Sequence, residues 1–303
     1  MTATPALRLA VMNDLHVGGP EGGGFQNTFL TTDAAALLAP TVAAINATDP
    51  GLVLIPGDLT HDATTDQLST VLACLNDLDC PFVACRGNHD RETPEAAGRF
   101  DRMVGNAARP GVITGSGINL PDGVAVLVLE SSWQKAGQPY VPGHPPLAVL
   151  DEGVAQQAFA DLDRLRPEWL LVVSHYPLIS QAGYVDVMEG RYAGHVEGGE
   201  DLLRELAARA GAVVAFCGHN HYHHILSGGR WLQCSTAALA EYPAEFRSVL
   251  IEDGCMTVST ATGAHDLLQR SPAPQHPWVR GRDEDREITW RPGEQMPAFP
   301  AHR

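Results

Sequence analysis

Basic side chains are scarce in this chain. Its 303 residues include 20 Lys and Arg against 36 Asp and Glu, a formal net charge of −16. Binding to duplex DNA, RNA or an anionic membrane relies on clustered Lys and Arg to displace counterions, so none of these is expected as the main partner. Cysteine is thin too: Cys74, Cys80, Cys85, Cys217, Cys234 and Cys255 are scattered, with no CxxC pair. That pattern excludes a thiolate zinc ribbon and reads as buried thiols in a reducing compartment. Long apolar runs are missing as well. Val124 to Leu129 is among the longest, far short of the ~20 residues a membrane span needs. The N-terminus shows no basic stretch leading into an apolar segment and a small-residue cleavage site, so a soluble, cytoplasmic protein is expected. The glycine-rich HVGGPEGGGFQN that begins at His16 is not followed by Gly-Lys-Ser/Thr, which excludes a phosphate-cradling P-loop. No internal repeat is present.

What the chain does have is ample apolar material for a core, 44% of its residues, in short runs that alternate with amphipathic stretches. Leu7–Met12, Leu52–Ile55 and Pro81–Cys85 read as strands, separated by helices at Asp33–Asn46 and Asp66–Asp77 and followed by one at Pro94–Val104. This βαβαβ rhythm implies a parallel, buried sheet. Strands at Val112-Ile113 and Val124–Leu129 then come without a helix between them. Next are a Gly/Pro-rich loop at 134–146, a helix at Glu152–Leu165, a strand at Trp169–Val173, a helix at Glu200–Ala210 and a strand at Ala212–Phe216. Trp231–Ser235, Ser248–Glu252 and Cys255–Ala261 look like shorter, more antiparallel strands. Residues 1–265 are expected to form the catalytic domain. Residues 266–303, rich in Pro and mixed charge ("RGRDEDRE"), are expected to be a solvated or loosely draped extension. A lid or dimer arm is the alternative, because Trp278, Trp290 and Phe299 give the segment something to bury.

The ends of the strands carry the chemistry. The first runs into Asn13-Asp14-Leu15-His16, the second into Gly57-Asp58 and the third into Gly87-Asn88-His89-Asp90. The strand at Trp169 runs into Ser174-His175-Tyr176-Pro177, and the next into Gly218-His219-Asn220-His221. A single His or Gly-Asp in such a place is usually a turn. Five together, at the strand edge where open α/β sheets build their sites, point to a metal centre. His219 and His221, two apart on an extended segment, lie on one side and can share a metal site. Mixed oxygen and nitrogen donors suit Mn, Fe or Zn. Two ions ~3.5–4 Å apart need a bridging carboxylate, and Asp58, after the central strand of the set, is the candidate.

In this order, DxH, GD, GNHD, a lone His and GHxH resemble the calcineurin-like metallophosphoesterase superfamily, over about Leu7 to Thr260. The finer pattern, with "GDLT" at Gly57 and "SHYP" at Ser174, is closest to bacterial class III cyclic-nucleotide phosphodiesterases. It departs from them at Glu130 and Ser174, where Asp and His are more usual. The resemblance implies a four-layer αββα sandwich of two mixed β-sheets flanked by helices, and a homodimer as the assembly. It implies Asp14, His16, Asp58 and His221 around one metal, and Asp58, Asn88, His175 and His219 around the other. His89 would lie over the scissile phosphate as the acid for the departing alkoxide. Asp90 would orient His89 or cap the following helix.

Substrate contacts are sought at His61, Arg86, Arg191 and His223. Each has a plainer alternative: loop histidine, surface ion pair or solvent-facing ring. His224 is expected on the opposite face from His223. The implied function is hydrolysis of a small anionic phosphodiester, with a cyclic nucleotide such as 3',5'-cAMP as one candidate. A phosphomonoesterase with the same metals is the alternative, and a metal-binding scaffold without chemistry is the remote one.

Overall fold

Leu52-Val53-Leu54-Ile55 is buried at every position, as a strand covered on both faces must be. The computed structural model describes residues 6–91, 95–107, 118–119, 123–130, 147–150, 152–181 and 194–294. The strands are β1 (Leu7–Val11), β2 (Leu52–Ile55), β3 (Phe82–Ala84), β4 (Ile118–Asn119), β5 (Val124–Leu129), β6 (Leu147–Ala148) and β7 (Trp169–Ser174). They continue with β8 (His195–Val196), β9 (Ala212–Cys217), β10 (His224–Gly228), β11 (Trp231–Ser235), β12 (Phe246–Glu252), β13 (Cys255–Ala261) and β14 (Ile288–Trp290). The helices are α1 (Ala34–Asn46), α2 (Thr65–Leu75), α3 (Ala96–Ala107), α4 (Glu152–Leu165), α5 (Gly199–Arg209), α6 (His265–Arg270) and α7 (Asp283–Arg286). Asp33, read as the first residue of a helix, is the N-cap of α1 and accepts from the N–H groups of Ala35 and Ala36.

Two six-stranded mixed sheets result, ordered β14-β13-β12-β1-β2-β3 and β10-β11-β9-β7-β5-β4. Alternation along each strand sorts the side chains into three apolar layers. Leu9, Val11 and Leu54 meet Val126, Leu171, Val214 and Phe216 between the sheets. Ala10, Met12, Val53 and Ile55 face the other way, against Leu38, Val42 and Ile45 of α1 and Val71 of α2. Leu127, Leu170, Val172 and Val213 face Leu162 of α4 and Leu203 and Leu206 of α5. Each such Leu or Val stabilises the fold by about 1.5–3 kcal/mol when fully buried. Helix, sheet, sheet and helix therefore stack as four layers. The expected αββα sandwich of two mixed sheets is the observed one.

Three features differ from the sequence reading. β11, expected among the antiparallel strands, pairs parallel with β9, and β10, unforeseen, supplies the antiparallel edge beyond it. The boundary at residue 265 is the larger correction. β14 adds to β13 with Met256 opposite Trp290 and Val258 opposite Ile288. Trp290 is buried between the sheets, edge-on to Trp169 of the second sheet at a centroid distance of 5.9 Å. Asp285 is buried too and accepts from His224 Nδ1 and Ile225 N. Residues up to 294 thus belong to the packed structure rather than to a draped extension. The strand at Val112-Ile113, the loop at 134–146 and Phe299 lie outside the described residues. Among the described residues, no helix is long and apolar enough to cross a membrane.

Candidate metal centre

The loops after β1 and β2 are stitched together before any side chain is considered. Asp14 N donates to Gly57 O, and the Leu15 and His16 N–H groups both donate to Asp58 O. This forces a tight path. Asp14, His16, Asp58, His219 and His221 all have positive φ, between 43° and 67°. Left-handed backbone is uncommon outside glycine, and a cluster of it marks a functional site. Gly87 is required for a related reason. A Cβ there would collide with Asp58 Oδ1 and come within 2.5 Å of Asp58 N.

These turns aim the side chains inward. Asp14, His16, Asp58 and His221 each offer one donor atom, and the four atoms lie within 4.8 Å of one another. His16 Nε2 is 3.6 Å from Asp58 Oδ2, and His221 Nε2 is 3.4 Å from Asp14 Oδ1. Beside them, Asn88 Oδ1 is 2.9 Å from both His175 Nε2 and His219 Nδ1. Asp58 Oδ2 is 3.4 Å from His175 Nε2, so one carboxylate faces both groups. Two pairs of ring nitrogens confront each other, His16 with His221 at 3.1 Å and His175 with His219 at 3.2 Å. Two carboxylates, an amide oxygen and these ring nitrogens thus crowd together, an arrangement a cation resolves. The donor set of carboxylate, imidazole and amide oxygen suits first-row metal ions. The residues fit a binuclear centre.

Electrostatics agree. Burial opposes charge on His16, His175 and His221, and it holds His16 well below its ordinary value. Asp58 nevertheless raises His175 to about 9, and Glu241 with Asp14 raises His221 well above the usual imidazole range. Burial likewise pushes Asp58 up, yet His175 and its neighbours hold it well below the ordinary carboxylate value. The pocket attracts positive charge, and without metal it attracts protons. Outer contacts fix the rings: His175 Nδ1 donates to Pro56 O at 2.8 Å, leaving Nε2 as the donor atom for a metal.

A cavity of about 330 Å³ opens onto both groups. Phe25, Phe29, His61 and His89 form its outer wall. His89 stacks on His61 with centroids 4.8 Å apart and meets the edge of His16 at 4.6 Å. Its Nδ1 donates to His61 O at 2.8 Å, which fixes the tilt of the ring in the cavity wall.

The structure reassigns three residues. Asp90 neither orients His89 nor caps a helix. Its carboxylate accepts from Leu59 N, Thr60 N, Thr60 Oγ1 and Gly87 N, locking the loop after β2 to the loop after β3. Burial and nearby Asp58 push it up to about 6, against the pull of those donors. The orienting partner of His89 is the His61 carbonyl. Arg86 turns to Glu130 (2.9 Å) and Asp101 (3.4 Å) and does not line the cavity. His223 is neither at the rim nor facing solvent: it is fully buried, donates through Nε2 to Glu245 at 3.0 Å and accepts from Ala237 N through Nδ1. His224 does turn elsewhere, to Asp285. Arg191 lies outside the described residues.

Sequence reasoning missed Glu241, whose Oε1 is 3.1 Å from His221 Nδ1. It also missed Phe25 and Phe29 as cavity walls and Asn13, which donates to the Asp14 carboxylate and to Thr236 O. A lone acid in the apolar run Ala237-Ala238-Leu239-Ala240 is the one signal that pointed to Glu241.

Across residues 7–223 the chain matches the family model for calcineurin-like phosphoesterases. The chain belongs to that family. This phosphoesterase is 23% identical over 252 residues to a probable cyclic nucleotide phosphodiesterase of Synechococcus sp., covering 81% of this chain and 88% of the relative. Its fold is similar to a dimetal phosphatase from Danio rerio, with a TM-score of 0.63, 14% identity and coverage of 85% and 96% of the two chains. It is also similar to a purple acid phosphatase from yellow lupin seeds, at a TM-score of 0.55, 14% identity and coverage of 86% and 52%. The phosphoesterase is a hydrolase of the family's kind, and its cluster of metal-capable side chains accords with the dimetal centre of such enzymes.

Proposed function

We propose that this phosphoesterase hydrolyses a small phosphodiester, with a cyclic nucleotide such as 3',5'-cAMP as the first candidate, at a centre of two Mn, Fe or Zn ions. The observation that carries the reading is the makeup of the cavity. Among its described lining residues there is no Lys or Arg, and Phe25, Phe29, His61 and His89 line it together with His16, Asp58, Asn88, His219 and His221. A monoester brings more negative charge and calls for extra cations, whereas a diester brings one charge and an alkoxide that needs a proton. Asp14, His16, Asp58 and His221 would hold one ion; Asp58, Asn88, His175 and His219 would hold the other. Bound there, the ions supply charge for the phosphoryl oxygens and lower the pKa of a water toward neutrality. His89, held at Nδ1 by the His61 carbonyl, delivers a proton from Nε2 to the leaving oxygen. His61 supports that ring from behind and borders the same space. The two phenyl faces offer an apolar surface to the organic part of the substrate.

The Synechococcus relative, a probable cyclic nucleotide phosphodiesterase, supports the cyclic-nucleotide candidate. The reading includes a reducing compartment such as the cytoplasm, in keeping with six free cysteines, and a homodimer, which rests on the family likeness alone. The test is kcat/KM for bis-p-nitrophenyl phosphate against p-nitrophenyl phosphate, in one Mn-loaded preparation with metal-stripped protein as control. Preference for the diester supports the reading, and a cyclic-nucleotide panel follows. Preference for the monoester overturns it.

A further inference from the structure

Glu241 is buried, and its carboxylate faces two structures at once. On one side, Oε1 lies 3.1 Å from Nδ1 of His221, whose Nε2 points into the candidate metal group. On the other, the same carboxylate accepts three consecutive backbone N–H groups: Phe25 at 2.5 Å, Gln26 at 3.1 Å and Asn27 at 2.8 Å. Successive amides wrapped around one anion form a nest, and the anion holds the loop's shape. That loop follows Gly22, Gly23 and Gly24. Ordering backbone of this kind costs about 1–2 kcal/mol per residue, so it needs a fixed anchor. The loop in turn carries the aromatic wall. Phe25 meets the edge of the His221 ring at 5.4 Å, and Phe29 leans on His16 at 5.5 Å. The Leu30 N–H donates to Ala240 O, and the Ala240 N–H donates to Asp14 O, so the segment bearing Glu241 is tied to both the loop and the metal-capable residues.

We infer that Glu241 is a positioning residue that couples occupation of the metal centre to the order of the 25–29 loop, so that the aromatic wall of the substrate cavity is set only when metal is bound. The physical route is short. With metal held at Nε2, the His221 Nδ1–H would become a stronger donor toward the Glu241 oxygen 3.1 Å away and so fix that carboxylate. The fixed carboxylate then presents its remaining lone pairs to the three amides. Linkage makes the effect reciprocal: whatever factor metal adds to loop order, loop order adds to metal affinity. The inference rests on the metal centre of the proposed function and not on the choice of substrate.

The experiment uses the full chain, with Mn²⁺ as the probe, and reads two quantities that do not involve turnover. Amide hydrogen exchange is followed for the peptide spanning 22–30, with EDTA and with saturating Mn²⁺, and Mn²⁺ affinity is measured by calorimetry. In the wild type, Mn²⁺ should slow exchange at Phe25, Gln26 and Asn27. In Glu241→Gln, Mn²⁺ affinity should fall about 10–100-fold, and the exchange of those amides should no longer depend on Mn²⁺. A merely structural glutamate would behave differently: exchange would rise equally with and without metal while affinity stayed at the wild-type value, and that result overturns the inference. Should Glu241→Gln not fold, the wild-type arm still decides, because exchange that ignores Mn²⁺ occupancy also overturns it. A monoester preference in the turnover assay would sink the diesterase reading and leave these two readouts untouched.

Discussion

Trp290→Ala is the substitution whose outcome most sharply separates a structural C-terminal segment from a solvated one. The side chain is 1% exposed and meets Trp169 edge-on at 5.9 Å across the space between the two sheets. Its strand is only three residues long, and Ile288, the other inward side chain, is 7% exposed. Removing the indole leaves a cavity that Trp169, anchored in a central strand, cannot fill. A Trp-to-Ala change of this kind costs about 3–5 kcal/mol, a large part of the ~5–15 kcal/mol that holds a typical domain folded. In a chain of this size that corresponds to a fall in Tm of roughly 5–15 °C. A Trp on a draped tail would change stability by no more than ~0.5 kcal/mol. Urea unfolding of the metal-free protein, followed by far-UV circular dichroism, measures the difference in ΔG directly. An unchanged midpoint and slope would refute the burial argument and restore the boundary at residue 265.

His89→Ala should lower kcat by roughly 10²–10⁴-fold with metal content retained, measured by turnover alongside elemental analysis; wild-type turnover of a substrate with a poor leaving group would remove His89 from the acid role. Asp58→Ala should lose metal, and so should Gly87→Ala, although Gly87 has no side chain to offer an ion, because its new Cβ would displace the Asp58 carboxylate; metal-to-protein ratios after desalting test both. Burial pushes the Glu245 carboxyl up, yet hydrogen bonds from His223 and Arg286 hold it at about 2, below its value of about 4.3 in an unfolded chain. Its contribution is therefore present above pH ~4.3 and lost as pH falls toward 2. The stability gap between wild type and Glu245→Gln should close over that acid range in urea titrations.

How much of this was readable before the fold was known depends on the range of each interaction. Apolar runs such as Leu52–Ile55 and Val124–Leu129 specify buried strands locally, and the polar residues that follow them fall on one edge by topology alone. That is why Asp14, His16, Asp58, Asn88, His175, His219 and His221 could be named together from the sequence; their side chains lie close to one another, and five of them (His16, Asp58, Asn88, His219 and His221) line one cavity. The misread residues are those whose partners are distant. Asp90 sits next to His89 in the chain but bonds to Leu59 and Thr60, about 30 residues away. His223 repeats the alternation of His219 and His221, but its partner is Glu245, on the loop leading into β12. The charges of 282–286 looked solvated because nothing local announces that His224 pairs with Asp285 and Glu245 with Arg286. Glu241 escaped for the same reason, since its contacts with Phe25, Gln26 and Asn27 span more than 210 residues.

The left-handed turns at Asp14, His16, Asp58, His219 and His221 also shape how such a protein can change. Few residues other than glycine enter that region comfortably, and Asn, Asp and His lead them. The backbone therefore admits at these positions much the same residue types that bind metal. Drift toward a β-branched or bulky side chain threatens the turn itself and is removed with the fold. Drift toward Asn or Gly keeps the turn and discards the charge or the ring. The architecture leaves an open road to descendants that stay folded and have lost their chemistry, and a relative on that road would carry Asn or Gly where this chain has Asp and His.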